Sequence, residues 1–349
     1  MEVKTTEAAI ITGLGQALEV DTIELPERLH FGQVLVELYY SGICGSQIGE
    51  IDGVKGEDKW LPHLMGHEGS GRVLSIGEGV HTVSVGDHVV LHWRIGSGLQ
   101  SETPRYSING KDVNAGWVTT FNRHAVVSEN RITVIPERFD LRFATLFGCA
   151  IPTGFGVACN DAKIKIGQSV VVFGAGGVGL NVIQASSMMS AFPVIAVDIR
   201  KKKLIMAKDF GADFTVDGTD HSLIRECVRS QAGIGGADVV VETTGRPDMI
   251  ELAYDLTAAK GRTILVGVPP AGKRACIYTL PLHFGKTLTG SHGGEAMPAQ
   301  DIPRYIKLFE AGRMRLDGLI TDSFSLQEIN QAIDKVRMGD SGRVLIEFG

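Results

Sequence analysis

Two cysteines and a histidine stand in positions from which a metal could be held. Cys44 lies in Gly42-Ile43-Cys44-Gly45-Ser46, His67 in Gly66-His67-Glu68-Gly69, and Cys149 in Phe147-Gly148-Cys149-Ala150. Two thiolates and one imidazole suit tetrahedral zinc with its fourth position open to water or substrate, where the ion polarises an oxygen. Glu68 sets a carboxylate directly beside His67. The wide spacing leaves another reading open. Taken singly, each cysteine suits a small buried apolar position, and His67 a hydrogen-bonded structural one.

A second constellation is local. The apolar run Val170 to Phe173 breaks into Gly174-Ala175-Gly176-Gly177-Val178-Gly179, and a second apolar run, Val194 to Val197, ends on Asp198. Leu180, Ile183, Gln184 and Met188 between them have helical spacing with one buried face, so the glycines mark the junction of a strand and a helix. Such a junction binds pyrophosphate. Gly174 permits the sharp turn, Gly176 keeps the backbone bare toward the phosphates, and Gly179 lets the helix lie close on the sheet. Asp198, 19 residues beyond Gly179, can accept from the adenosine ribose hydroxyls and repels a 2′-phosphate, which selects NAD. The competing reading is an ordinary turn whose glycines serve packing only, with Asp198 capping a strand.

These groups need two different scaffolds. The chain has 349 residues, enough for two domains, with 44% hydrophobic and 21% charged residues as in soluble globular proteins. Its net charge of −6, with basic residues clustered only at Arg200 to Lys203, argues against a nucleic-acid partner. No signal-peptide pattern or membrane-length apolar run is visible, so a cytoplasmic protein is expected. Five cysteines without a C-x-x-C pair point to reduced thiols or metal ligands. The first 150 or so residues read as strands between glycine turns: Ala8 to Ile11, Gln33 to Tyr40, Gly69 to Ile76, His88 to His92 and His124 to Val127. Arg94 to Val118 reads as a long polar loop. From Ile151, strands alternate with helices, which predicts an α/β doubly wound parallel sheet. Helices over Ile302 to Ala311 and Leu326 to Met338 and a strand over Arg343 to Glu347 form a tail that returns to the first domain.

In order along the chain, Gly66-His67-Glu68-Gly69-Ser70-Gly71, Gly77-Glu78-Gly79, Val85-Gly86-Asp87-His88-Val89-Val90, the Cys149 segment with Thr153-Gly154-Phe155-Gly156, and the nucleotide turn resemble the medium-chain dehydrogenases, the zinc-dependent alcohol and polyol dehydrogenase family. The resemblance spans nearly the whole length. It implies a GroES-like β-rich catalytic domain from residues 1–150 and 294–349, a Rossmann domain from 151–293, and a homodimer or homotetramer. It also implies one catalytic zinc per chain, NAD, and hydride transfer between an alcohol and its carbonyl, polyols and sugar-like alcohols among the candidates. Carried over by position, Cys44, His67 and Cys149 correspond to zinc ligands and Glu68 to a carboxylate that can approach the metal. Ser46 corresponds to the hydroxyl touching the substrate oxygen, Trp93 to the substrate-pocket wall, Gly267 and Val268 to the nicotinamide contacts, and Asp198 and Lys203 to the ribose contacts.

The sequence departs from that pattern in places. Gln47 stands where an aspartate is usual, Gly49 where some relatives have a proton-relaying histidine, and Gly45 where some have an arginine. The loop Arg94 to Val118 has no cysteine, whereas many relatives wrap a second, structural zinc there with four. Its fold is then expected to rest on glycine turns, Trp93 and Trp117, or a second subunit, and to be more mobile than its zinc-bound counterparts. Two other readings are a zinc-free NADPH quinone or enone reductase of the same superfamily and a non-catalytic nucleotide-binding protein. The three candidate ligands, Ser46 and Asp198 weigh against both.

Overall fold

The computed structural model describes residues 3–349. Two compact units emerge, one built from the chain up to Cys149 together with Met297–Gly349, the other from Ala150–Ala296.

The first unit opens with β1 (Thr5–Ile11), β2 (Glu19–Glu24) and β3 (Gln33–Ile43), then helix α1 (Gly45–Ile51), β4 (His63–Leu64), β5 (Gly69–Ile76) and β6 (His88–Leu91). It continues through β7 (Tyr106–Ile108), β8 (Lys111–Val113), β9 (His124–Ser128), β10 (Ile132–Val134) and the short α2 (Leu141–Ala144). One sheet runs β4-β1-β2-β7-β8, and a seven-stranded one runs β10-β6-β5-β3 and on to β18 (Arg343–Glu347) and β17 (Ile320–Ser325), with β9 also on β3. The last two strands of that sheet come from the chain's end, described below. Alternation in β3 sends Val34, Val36 and Leu38 into one core with Val89 and Leu91 of β6, while Leu35 joins a second core with Ile10, Ile23 and Tyr106. Period-two patterning thus gives β3 a buried neighbour on each face.

The second unit holds α3 (Ala150–Gly156), β11 (Val170–Phe173), α4 (Gly177–Met188), β12 (Val194–Asp198), α5 (Lys201–Asp209), β13 (Phe214–Asp217), α6 (His221–Ala232), β14 (Ala237–Glu242), α7 (Pro247–Leu256), β15 (Thr257–Leu265) and β16 (Thr287–Gly290). Its sheet, β13-β12-β11-β14-β15-β16, is parallel throughout. Continuous apolar runs such as Val170 to Phe173, with every residue buried, are what a sheet covered on both faces requires. Helix α4 is buried more widely than its spacing predicts: Asn181, Val182, Ala185 and Ser186 are enclosed along with Leu180 and Ile183, while Met188 is 38% exposed. Helix α3 supplies the extra cover. A Cβ on Gly154 would fall 2.5 Å from Asn181 Cβ.

The chain then adds α8 (Pro298–Glu310), β17 (Ile320–Ser325), α9 (Ile329–Met338) and β18 (Arg343–Glu347) to the first unit. β18 lies antiparallel to β3, with Val344 opposite Ile43.

The stretch expected as a long polar loop departs from that expectation. It contains the hairpin β7–β8, whose Ser107 pairs with Glu24 of β2 and donates to its carboxylate at 2.5 Å. The stretch is also fastened from beneath by Ser128-Glu129-Asn130-Arg131. Ser128 Oγ accepts from the Ser101 amide at 2.8 Å, the Asn130 amide donates to the Leu99 carbonyl at 3.1 Å, and Asn130 Nδ2 donates to Gln100 at 2.9 Å. Glu129, fully buried, accepts from the amides of His81, Thr82 and Leu99 and from the Thr82 hydroxyl, all at 2.7–2.8 Å. Side-chain and backbone hydrogen bonds therefore organise this cysteine-free stretch.

Candidate active site

Cys44 and Cys149 border helical turns, and His67 lies in the connection between β4 and β5. Cys44 is the N-cap of α1, and its amide donates to Gln47 Oε1 at 2.8 Å, closing a capping box. The glutamine at the unusual position thus orients the cysteine without adding charge. His67 follows Gly66, whose φ of +91° and distance of 2.3 Å from a would-be Cβ to Thr120 Oγ1 exclude any side chain. Cys149 follows the turn Thr145–Gly148 and is 7% exposed.

The fold brings the three together. One ligand atom each from Cys44, His67 and Cys149 lie within 4.8 Å of one another. In a tetrahedral zinc site with bonds of ~2.3 Å, ligand atoms lie about 3.8 Å apart, and donors gathered within 4.8 Å suit such an ion. The Cys44 thiol is held well below its ordinary pKa, by the hydrogen bond with Cys149 foremost, against burial, and further by His67 and Arg343. A thiolate beside a second sulfur and an imidazole is the donor set zinc takes.

Glu68 is completely buried, and its carboxylate is ion-paired with Arg343 of β18. A Cβ on Gly148 would meet Glu68 Cβ at 2.7 Å, and one on Gly42 the Glu68 carboxylate at 2.8 Å, so two glycines make room for this acid. Arg343 also hydrogen-bonds Cys44, and burial lowers the arginine's pKa while Cys44 opposes that fall. The sequence offers no local sign of this residue's part, since the β3–β18 pairing brings it in from the far end of the chain.

Ser46 is exposed on the first turn of α1. Gly49 on the same helix has Val54 Cγ2 2.9 Å from its would-be Cβ, so Val54 would have to shift for a larger side chain there. Trp93 lies in the bend two residues beyond the end of β6, and Arg131 Nη1 donates to its carbonyl. A second group of ligand types, Glu50, Asp58 and His63, also lies within 4.8 Å. His63 Nδ1 donates to the Leu64 carbonyl and Nε2 meets Asp58 at 2.8 Å. Hydrogen bonding of the His63 ring to Leu64 and Asp58 accounts for that geometry.

In the second unit the glycine turn separates its two readings. A Cβ on Gly174 would lie 2.5 Å from Thr243 Oγ1, and one on Gly179 only 1.8 Å from the Gly174 carbonyl oxygen, so packing alone explains both. Gly176 differs: its nearest atom is Lys203 Nζ at 3.9 Å. No side chain caps α4, whose first turn carries Gly177, Val178 and Gly179. Bare space, uncapped amides and an ammonium group fit a dinucleotide's pyrophosphate. Asp198 ends β12 and accepts from the amides of Ala175 and Arg200 at 2.8 and 2.9 Å, which ties it to the turn and leaves each oxygen a further lone pair. Gly267 packs against Gly245, with 2.1 Å from a would-be Cβ to the Gly245 nitrogen, and Val268 is 74% exposed.

Comparison with known proteins matches residues 30–137 to the alcohol dehydrogenase GroES-like domain and residues 177–311 to the zinc-binding dehydrogenase family. Over 98% of this chain and 100% of the relative, the sequence is 31% identical to an alcohol dehydrogenase class-3 of Cereibacter sphaeroides. The chain belongs to the zinc-dependent medium-chain dehydrogenases. An S-(hydroxymethyl)glutathione dehydrogenase of Paracoccus denitrificans is 30% identical over 98% of this dehydrogenase and 100% of itself. The solved benzyl alcohol dehydrogenase of Acinetobacter calcoaceticus superposes with a TM-score of 0.88 at 28% identity, covering 99% of this dehydrogenase and 100% of its own chain. Family membership carries zinc and NAD with it, and the enzyme is a zinc alcohol dehydrogenase.

Proposed function

We propose that this dehydrogenase interconverts a primary or secondary alcohol, polyols and sugar-like alcohols included, with its carbonyl. The observation that carries the proposal is the convergence of Cys44, His67 and Cys149 within 4.8 Å. When bound, zinc supplies Lewis acidity toward the substrate oxygen and NAD takes up or returns the hydride. The two Sγ atoms and the His67 ring hold the metal, with Gln47 fixing the Cys44 backbone. Arg343 engages the Glu68 carboxylate, which supports three protein ligands and an open fourth position over a ligand set that includes Glu68. Ser46 Oγ takes the alcohol proton and passes it to solvent, the role that its exposure and the missing imidazole at Gly49 leave to it. Trp93 forms a wall of the substrate pocket.

The GroES-like domain, residues 1–150 and 294–349, performs these tasks, and the Rossmann domain, 151–293, binds NAD. There Gly174, Gly176, Gly177, Val178 and Gly179 receive the pyrophosphate, Asp198 and Lys203 the ribose, and Gly267 and Val268 the nicotinamide. A homodimer or homotetramer is supported by exposed Tyr278, Leu280 and Phe284 leading into β16, the sheet's edge strand; sedimentation of a monomer at micromolar concentration would oppose it. A cytoplasmic location is supported by five cysteines outside any disulfide, and fractionation checks it. The deciding experiment is an NAD⁺-coupled screen of alcohols, polyols and sugar-like alcohols with zinc-loaded protein. NADH formation is expected; its absence with every alcohol, and with the carbonyls in reverse, would refute the proposal.

A further inference from the structure

Glu242, the last residue of β14, is a buried charge that the chemistry above leaves unused. It is fully buried, and both of its carboxylate oxygens accept hydrogen bonds. Oε1 takes the Thr244 amide at 2.7 Å and the Thr244 hydroxyl, and Oε2 the Gly245 amide at 3.0 Å. Burial pushes its pKa up from the ordinary carboxylate value, and these bonds oppose the rise by holding the ionised form. Among the described residues no cation lies within ion-pair distance of it. Arg246, close in sequence, is paired with Asp248 at 2.7 Å, and Asp248 itself repels the Glu242 carboxylate. A buried negative charge without a counter-ion is costly, a cost that a bound cation offsets.

The place of Glu242 in the sheet indicates which cation that is. The chain runs outward from β11 through β12 to β13, then returns to β14 on the other side of β11. The strand order therefore reverses between β11 and β14, and ligands of such sheets lie in the crevice outside the carboxyl ends of the strands at that reversal. Glu242 pairs with Phe173, the residue before the glycine turn, and with Leu265 of β15. The Gly245 amide nitrogen that it holds lies 2.1 Å from a would-be Cβ on Gly267, and a would-be Cβ on Gly245 lies 2.5 Å from the Val268 carbonyl oxygen. With the pyrophosphate at the turn and the adenosine ribose at Asp198 on the β12 side, the other half of NAD extends over the ends of β14 and β15. That half carries a positive charge in the oxidised nicotinamide ring and none in the reduced one.

We propose that the Glu242 carboxylate favours the cationic oxidised nicotinamide over the neutral reduced ring, and so biases the bound cofactor toward NAD⁺. It acts through space from behind the backbone of Gly245 and Gly267, as a specificity-determining charge. A ring stabilised in its oxidised form yields hydride to a carbonyl more readily. This rests on the reading of Gly267 and Val268 as nicotinamide contacts.

The test uses the zinc-loaded full chain and three probes: NAD⁺, NADH and ADP-ribose, which lacks the nicotinamide. NADH is titrated by its own fluorescence, and the other two by displacing it. The ratio of the NAD⁺ Kd to the NADH Kd should rise about three- to tenfold in Glu242→Gln, the scale of one unit charge acting over a few residues in a medium of intermediate dielectric. Affinities for NADH and ADP-ribose should change together, whatever the substitution does to the turn. If Glu242→Gln does not fold, Glu242→Ala decides by the same ratio. A purely structural role weakens all three probes equally, so an unchanged ratio in the folded variant overturns the proposal and leaves NAD binding intact. ADP-ribose following NAD⁺ instead of NADH also overturns it, because the charge would then act on the phosphates. Wild-type protein that binds none of the three refutes the nucleotide site, and the proposal falls with it.

Discussion

Replacing Glu129 by glutamine tests whether hydrogen bonds organise the 94–118 stretch. One carboxylate oxygen accepts the His81 and Thr82 amides and the Thr82 hydroxyl, and the other the Leu99 amide. An amide side chain can keep its oxygen on only one of these sets. Its better orientation keeps the three donors around His81 and Thr82 and turns NH₂ toward the Leu99 amide, so donor faces donor. Losing one charge-assisted bond, stranding a buried N–H and weakening the other bonds together cost about 2–4 kcal/mol. At ~1.4 kcal/mol per factor of ten, local opening becomes about 30- to 700-fold more frequent. Amide hydrogen exchange at Leu99, His81 and Thr82 reads this locally, which suits a two-unit chain whose unfolding need not be two-state. The pH dependence has a definite sign. Burial raises the Glu129 carboxyl pKa, but the amides of His81, Leu99 and Thr82 and the Thr82 hydroxyl outweigh it, leaving the group below its ordinary value. Its contribution is present above the unfolded-state pKa and is lost as pH falls through the lower folded-state value. Protection at these amides should therefore drop on acidification in the wild type and stay flat in Glu129→Gln. A change under threefold, or equal acceleration of every amide in the unit, would refute the reasoning.

Gly176→Ala should fold normally, since its Cβ meets nothing closer than 3.9 Å, yet weaken NADH binding about tenfold or more by blocking close approach to phosphate; unchanged fluorescence titration would favour the packing-only reading of the turn. The wild type should prefer NAD⁺ to NADP⁺ in kcat/KM, and Asp198→Ala should erode that preference; better use of NADP⁺ by the wild type would contradict the role given to Asp198. Ser46→Ala should retain zinc while slowing hydride transfer roughly 10²-fold or more, the usual contribution of a positioned proton acceptor, as single-turnover rates would show.

The local features were the legible ones. The turn from Gly174 to Gly179 and the apolar runs beside it declare themselves because a continuous apolar run gives way to glycines and then to helical spacing within a few residues. Cys44, His67 and Cys149 were readable as residue types, but only the folded sheets show that their ligand atoms converge. The hairpin β7–β8 escaped notice because each strand is three residues long and holds its register through Glu24, far back in the chain. Arg343 was invisible for the same reason, 275 residues from the acid it pairs with. The part played by Ser128 to Arg131 left no mark in the sequence, because hydrogen bonds from four successive residues to a loop leave no periodic signal.

Zinc content bears most directly on the central claim. Elemental analysis of metal-replete protein, cleared of adventitious ions, should return about one zinc per chain for the wild type, as one three-ligand site dictates, and nearly none for Cys149→Ala, whose NADH binding should persist. A reproducible value near two in the wild type, or full zinc retention in Cys149→Ala, would contradict the assignment of Cys44, His67 and Cys149 as the ligands of a single catalytic metal.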